Sequence, residues 1–167
     1  LYQSLDADVS AITAATGSGA TLTGTYLTSG SGDFIGNFGT AGMTVNISDG
    51  ATMTVAANKV DGSDGPTLQK VGGSGTGIVA VKIGTADAAV DMTSISSSGA
   101  ASTTFTVFET IDNFTGTLAT TTGVAAGATL NLTAAKATGK TITGAGSGSV
   151  NVTALDQTLD ADVSAIT

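Results

Sequence analysis

The sequence predicts an all-β fold and, within that class, a parallel β-solenoid (β-helix) built from two half-repeats of about 77 residues. Three observations carry this. Apolar residues alternate with Thr or Asn along short segments, Gly-rich clusters separate the segments, and the segments recur at long, fixed offsets. A period of two marks a strand with one wet face. A helical stripe of useful length is missing from the sequence; Ala134 to Thr138 is the nearest candidate and is too short.

In chain order, the alternating segments are Thr21-Leu22-Thr23, Thr44-Val45-Asn46-Ile47, Thr52-Met53-Thr54-Val55, Thr104-Phe105-Thr106-Val107, Thr129-Leu130-Asn131-Leu132, Thr141-Ile142-Thr143 and Val150-Asn151-Val152-Thr153. Gly/Ser clusters at 17–19, 30–32, 72–75 and 146–148 read as turns, because Gly adopts the positive φ that turns demand. Strand centres are expected near 22, 45, 53, 68, 80, 91, 105, 118, 130, 142, 151 and 163. That spacing suits a solenoid or tandem β-sandwich domains. A sandwich core draws on aromatics and often a central Trp, whereas this chain has five Phe, two Tyr and no Trp. A solenoid accepts Ala, Val and Thr inside and is favoured.

The repeat is explicit. LDADVSAIT occupies 5–13 and again 159–167, an offset of 154, and eleven of thirteen positions agree between 1–13 and 155–167. Half of that period recurs inside it. GATMTVAANKVDG at 50–62 matches GATLNLTAAKATG at 127–139 with offset 77, and Ile35-Gly36-Asn37-Phe38 matches Ile111-Asp112-Asn113-Phe114 with offset 76. TGIVAVKIGTADAAVDMTSIS at 76–96 then runs parallel to SGSVNVTALDQTLDADVSAIT at 147–167 with offset 71, the shortfall falling on a DGSDG insertion at 61–65. Apolar positions persist between the halves while polar ones drift: Met53/Leu130, Val55/Leu132, Val79/Val150, Val81/Val152, Val90/Ala161, Met92/Val163 and Ile95/Ile166. This is a core pattern. It divides the chain into residues 1–34, the end of one half-repeat plus a connection, half-repeat A at 35–110, and most of half-repeat B at 111–167. The matching ends predict either an excerpt of a longer array or a subunit stacking end to end on copies of itself.

Composition narrows the function. Thr (31), Ala (26), Gly (24) and Ser (16) make up well over half of the 167 residues, with five Lys, no Arg, no His, no Cys and a net charge of −8. Without His or Cys, the Ser-His-Asp, Cys-His and zinc-hydrolase chemistries are excluded. So acidic a chain lacks the positive footprint for nucleic acid. No apolar run reaches membrane-span length, so no membrane insertion is expected. Glu109 and Asp112 could form an acid/base pair, but neither an apolar pocket-forming cluster nor a substrate-holding Arg accompanies them, and no enzyme activity is expected.

The segments 127–167 and 50–96 resemble the β-strand-repeat regions of large secreted bacterial surface proteins, of surface-layer and adhesin-like kind. The resemblance implies an extracellular structural role in a filament, surface layer or stalk, self-association as the partner relation, and calcium as an associated ion. It carries no catalytic residue.

Calcium has candidate ligands in the i,i+2 pairs Asp6/Asp8 and Asp160/Asp162, since a strand places both carboxylates on one face and Ca²⁺ takes hard oxygen ligands. A solvated acidic strand face is the plainer explanation. The DGSDG loop lacks the distal Glu of a calcium loop, and Gly30 to Gly36 only faintly resembles one calcium-binding nonapeptide. Asn46, Asn113, Asn131 and Asn151 each open an Asn-x-Ser/Thr glycosylation sequon, although alternating polar strand positions account for them as well. Thr-x-Thr at 21–23, 52–54, 104–106 and 141–143 raises a binding function, either for ice or as a host-surface or glycan adhesin; β-propensity on a wet face explains the same residues.

Overall fold

A computed structural model describes residues 2–5, 22–26, 30–36, 43–61, 67–71, 77–95, 97–98, 102–155 and 161–167. It is mostly β with parallel sheets and divides into two compact units, 1–81 with 94–103, and 82–93 with 104–167.

The first unit holds β1 (Tyr2–Leu5), β2 (Leu22–Tyr26), β3 (Gly30–Phe34), β4 (Met43–Ser48), β5 (Ala51–Ala56), β6 (Thr67–Val71), most of β7 (Ile78–Ile83) and β8 (Ser97–Ser98). Pairing skips every second strand. One ladder runs β1-β3-β5-β7 and the other β2-β4-β6-β8. Parallel neighbours need a crossover of a dozen or more residues. Here each crossover contains a strand of the other ladder, so one connection serves both. Turning from β4 to β5 takes two residues, Asp49 and Gly50, and Gly50 stands at φ +74°, where a Cβ is strained. Val45, Ile47, Met53, Val55, Val79 and Val81 point inward and are buried, while Thr44, Asn46 and Thr52 between them are half-exposed.

The second unit takes most of β9 (Ser102–Val107), then β10 (Ile111–Phe114), β11 (Thr121–Val124), β12 (Thr129–Thr133), the single helical turn α1 (Ala134–Ala137), β13 (Thr141–Gly144) and β14 (Ser149–Thr153). Its ladders are β9-β11-β13 and β10-β12-β14, again parallel and again alternating. Phe114, Leu118, Leu130, Leu132 and Ile142 fill the interior, each at most 1% exposed. Leu118 lies between strands rather than at the centre of one, and Asp91 makes only an isolated bridge to Thr117, flanked by 3₁₀ turns at 85–87 and 92–94. The strand centres expected at 91 and 118 are therefore corners. Their spacing looked strand-like because corner residues such as Met92 and Leu118 are also buried.

Strand β3 departs further from expectation. Gly30-Ser31-Gly32 is part of a strand and not a turn, because β1 and β5 flank it in register, with Ser31 between Tyr2 and Thr52 and Phe34 between Leu5 and Val55. Neighbouring strands satisfy its backbone groups, which outweighs the weak strand preference of Gly.

The 77-residue offset has a structural counterpart. Residues 50–61 and 127–138 both form a Gly-led corner, a strand and a helical turn: Gly50, β5 and a 3₁₀ turn at Ala57–Lys59 in one, Gly127 (φ +81°), β12 and α1 in the other. β5 and β12 are seven strands apart, as are β7 and β14. Seven is odd, so each aligned pair has one member in an odd-numbered ladder and one in an even-numbered ladder.

Candidate functional site

Corners carry a repeated carboxylate device. In the second unit the Thr93 N–H and hydroxyl both donate to Asp91 Oδ1, at 2.9 and 2.6 Å. Ser164 does the same to Asp162 Oδ1, at 3.1 and 2.7 Å. Asp91 and Asp162 are aligned by the offset of 71, as are Thr93 and Ser164. The Asp-x-Ser/Thr spacing is visible in the sequence, where the Asp160/Asp162 spacing suits a metal equally well. The Ser164 hydroxyl and N–H hold the Asp162 carboxyl below the ordinary carboxylate range, and Asp162 is exposed. Asp6, Asp8 and Asp160 lie outside the described residues. Asp162 Oδ1 closes its own turn. Among the described residues no three acidic side chains converge as a metal site would require.

The sequon asparagines separate into different environments. On the β10-β12-β14 sheet, Asn131 Nδ2 donates to the Ile111 carbonyl at 3.0 Å, and Asn151 Nδ2 donates to Asn131 Oδ1 at 2.7 Å. This amide ladder follows from register, because Asn131 and Asn151 are Cα partners. Asn46 sits half-buried on β4, between Thr25 of β2 and Gln69 of β6. Asn113 is exposed on β10, where the ladder slips between Ile111 and Phe114.

Threonines form ranks on β9, β11 and β13. Thr121 pairs with Thr141, and Gly123 stands between Thr106 and Thr143. Thr104, Thr121, Thr141 and Thr143 are exposed and Thr106 is half-exposed. The two Thr-x-Thr copies at 104–106 and 141–143 thus flank one strand, although their sequence spacing gives no hint of it. Of the remaining expectations, Thr21 and residues 62–65 of DGSDG lie outside the described residues. Glu109 Oε2 accepts the Thr85 N–H and hydroxyl at 3.0 and 3.1 Å, which ties two segments of the second unit together; Asp112 is exposed on β10. Asp87 is buried and accepts the Gly84 N–H at 2.8 Å, closing a turn. Among the described residues no helix is long and apolar enough to cross a membrane.

No protein-family model, curated protein or solved structure matches this chain.

Proposed function

We propose that the chain is a non-enzymatic, extracellular tandem-repeat segment that stacks as parallel β-solenoid coils and bears load in a filament, surface layer or adhesin stalk, with further repeats or copies of itself as its partners. The observation that carries the proposal is alternate-strand pairing with short steps. Thr121 pairs with Thr141 and Thr129 with Ser149, so β11-β13 and β12-β14 advance together by 141 − 121 = 149 − 129 = 20 residues. A coil wound from one strand of each ladder gives this pattern directly. Tandem β-sandwiches, the competing architecture, are made of antiparallel sheets, whereas every described ladder is parallel. Backbone hydrogen bonds in such a stack lie along the coil axis and resist extension together, and coils of differing length fit without disturbing their neighbours.

Antibody labelling of the native protein on intact and permeabilised cells, with electron microscopy, tests this. Regular surface labelling is expected; labelling only after permeabilisation overturns the extracellular role. Thr121 and Thr141, paired on neighbouring strands about 4.8 Å apart, favour a second function, a binding face for ice, although Gly123 interrupts the rank between Thr106 and Thr143. Thermal hysteresis in purified protein would establish it and displace the purely mechanical role.

A further inference from the structure

We propose that Asn113 is an N-glycan acceptor, and that Asn131 and Asn151 on the same sheet are withheld from that chemistry by the amide ladder they form. The proposal rests on the extracellular placement above for the source of the sugar. Whether Asn113 can accept it is a property of the folded chain.

β10 is the outermost strand of the β10-β12-β14 sheet, and its ladder slips between Ile111 and Phe114. A regular strand would turn one of Asp112 and Asn113 inward. The slip instead leaves both exposed between the buried Ile111 and Phe114. The Asn113 carboxamide makes no hydrogen bond among the described residues, so a transferase displaces nothing to reach it. Thr115, whose hydroxyl completes the sequon, is exposed as well. Its Oγ1 donates to the Ala88 carbonyl at 3.4 Å, a long and weak bond, while its N–H holds the backbone to the same carbonyl at 2.8 Å. Both side chains needed for recognition are therefore presented on fixed backbone.

The other three described sequons differ at the amide or its neighbours. Asn131 is part-buried on a central strand, and both ends of its carboxamide are engaged, Nδ2 with Ile111 and Oδ1 with Asn151. Asn151 gives its Nδ2 to that ladder at 2.7 Å; the Thr153 hydroxyl, like that of Thr115, makes only a long bond, 3.3 Å to the Leu132 carbonyl, so the amide is what separates the two sequons. Asn46 is half-buried on β4, with β2 and β6 paired on either side.

In the transfer, Asn113 Nδ2 bonds to C1 of a sugar carried as a lipid-linked pyrophosphate. The C1–O bond breaks, the lipid pyrophosphate leaves with the electron pair, and the amide loses one proton. The folded full chain is incubated with a purified N-oligosaccharyltransferase and lipid-linked oligosaccharide, and the products are mapped by intact mass and glycopeptide sequencing. A single addition at Asn113 is expected, lost in Asn113→Gln and Thr115→Val and retained in Asn151→Gln. Circular dichroism melting of Asn113→Gln should match the parent, since that amide holds nothing. No addition to the folded chain, or addition at Asn131 or Asn151 on a par with Asn113, overturns the proposal. The assay is independent of cellular location, so an intracellular result in the labelling experiment leaves its outcome standing.

Discussion

Thr122→Val is expected to stabilise the protein. Thr122 sits on β11 with its side chain in the interior, at 0% exposure, and its Oγ1 finds no hydrogen-bond partner among the described residues. Its rung partner on β13 is Ile142, also fully buried. An unpaired buried hydroxyl costs about 1–3 kcal/mol, because its bonds to water are given up and nothing replaces them. Val keeps the β-branched shape and replaces that hydroxyl with a methyl, whose slightly larger volume offsets part of the gain. The net expectation is about 1–2 kcal/mol, or a Tm rise of roughly 2–8 °C for a chain of this length. The repeat supports the choice, since Thr121 to Val124 aligns at offset 77 with Thr44 to Ile47, where Val45 is 2% exposed. Urea unfolding should move to a higher midpoint with an unchanged m-value. Thr122→Ser keeps the hydroxyl and removes the methyl, so it should lose about 1 kcal/mol. If Thr122→Val is neutral or destabilising while Thr122→Ser behaves as expected, the hydroxyl is satisfied in solution and the reasoning fails.

Three further outcomes follow from the geometry and one from the sequence. Gly116→Ala places a Cβ against the Val90 carbonyl oxygen and the backbone behind it; a loss of at least about 2 kcal/mol is expected in the same urea assay. Asn131→Ala removes a donor to Ile111 and the acceptor of Asn151, which should cost about 1–2 kcal/mol, and a double-mutant cycle with Asn151→Ala should show coupling rather than additivity. Because Ser164 depresses the Asp162 carboxyl, its contribution to stability is present above the unfolded carboxylate pKa and is lost as pH falls through the lower folded value; carboxyl NMR titration should show the Asp162 pKa rising in Ser164→Ala. Calcium binding through Asp6, Asp8, Asp160 and Asp162 predicts a melting temperature raised by calcium and restored to its lower value by chelator, and chelator-insensitive melting removes that ion from the proposal.

The sequence by itself determined which strand residues face inward and, at 146–148, where one corner falls. Met53/Leu130 and Val55/Leu132 were legible as core because alternation depends on each residue's own side chain, and all four are at most 2% exposed. The partners Val79 and Val81 are buried, while their counterparts Val150 and Val152 are only half-buried, since β14 is outermost in its ladder; position in the stack, and not residue type, makes that difference. Gly146, in the Gly/Ser cluster at 146–148, was legible as a turn because the positive φ is a local demand, whereas Gly50 and Gly127 meet the same demand without a cluster to mark them.

Tertiary structure decided who stands beside whom. The step between paired strands runs from 17 residues, Thr106 to Gly123, to 29, Leu68 to Ser97, so no single sequence period states the register. The crossovers that set those steps follow no alternating pattern, and their lengths are tolerated as long as the strands still meet. From this come the Gly-rich strand β3, the Thr ranks on β9, β11 and β13, and the amide ladder from Ile111 through Asn131 to Asn151. Four sequons look alike in one dimension. Asn113 is set apart because a one-residue slip against β12 turns two successive side chains to water, and that slip belongs to the pairing of two strands rather than to either one alone.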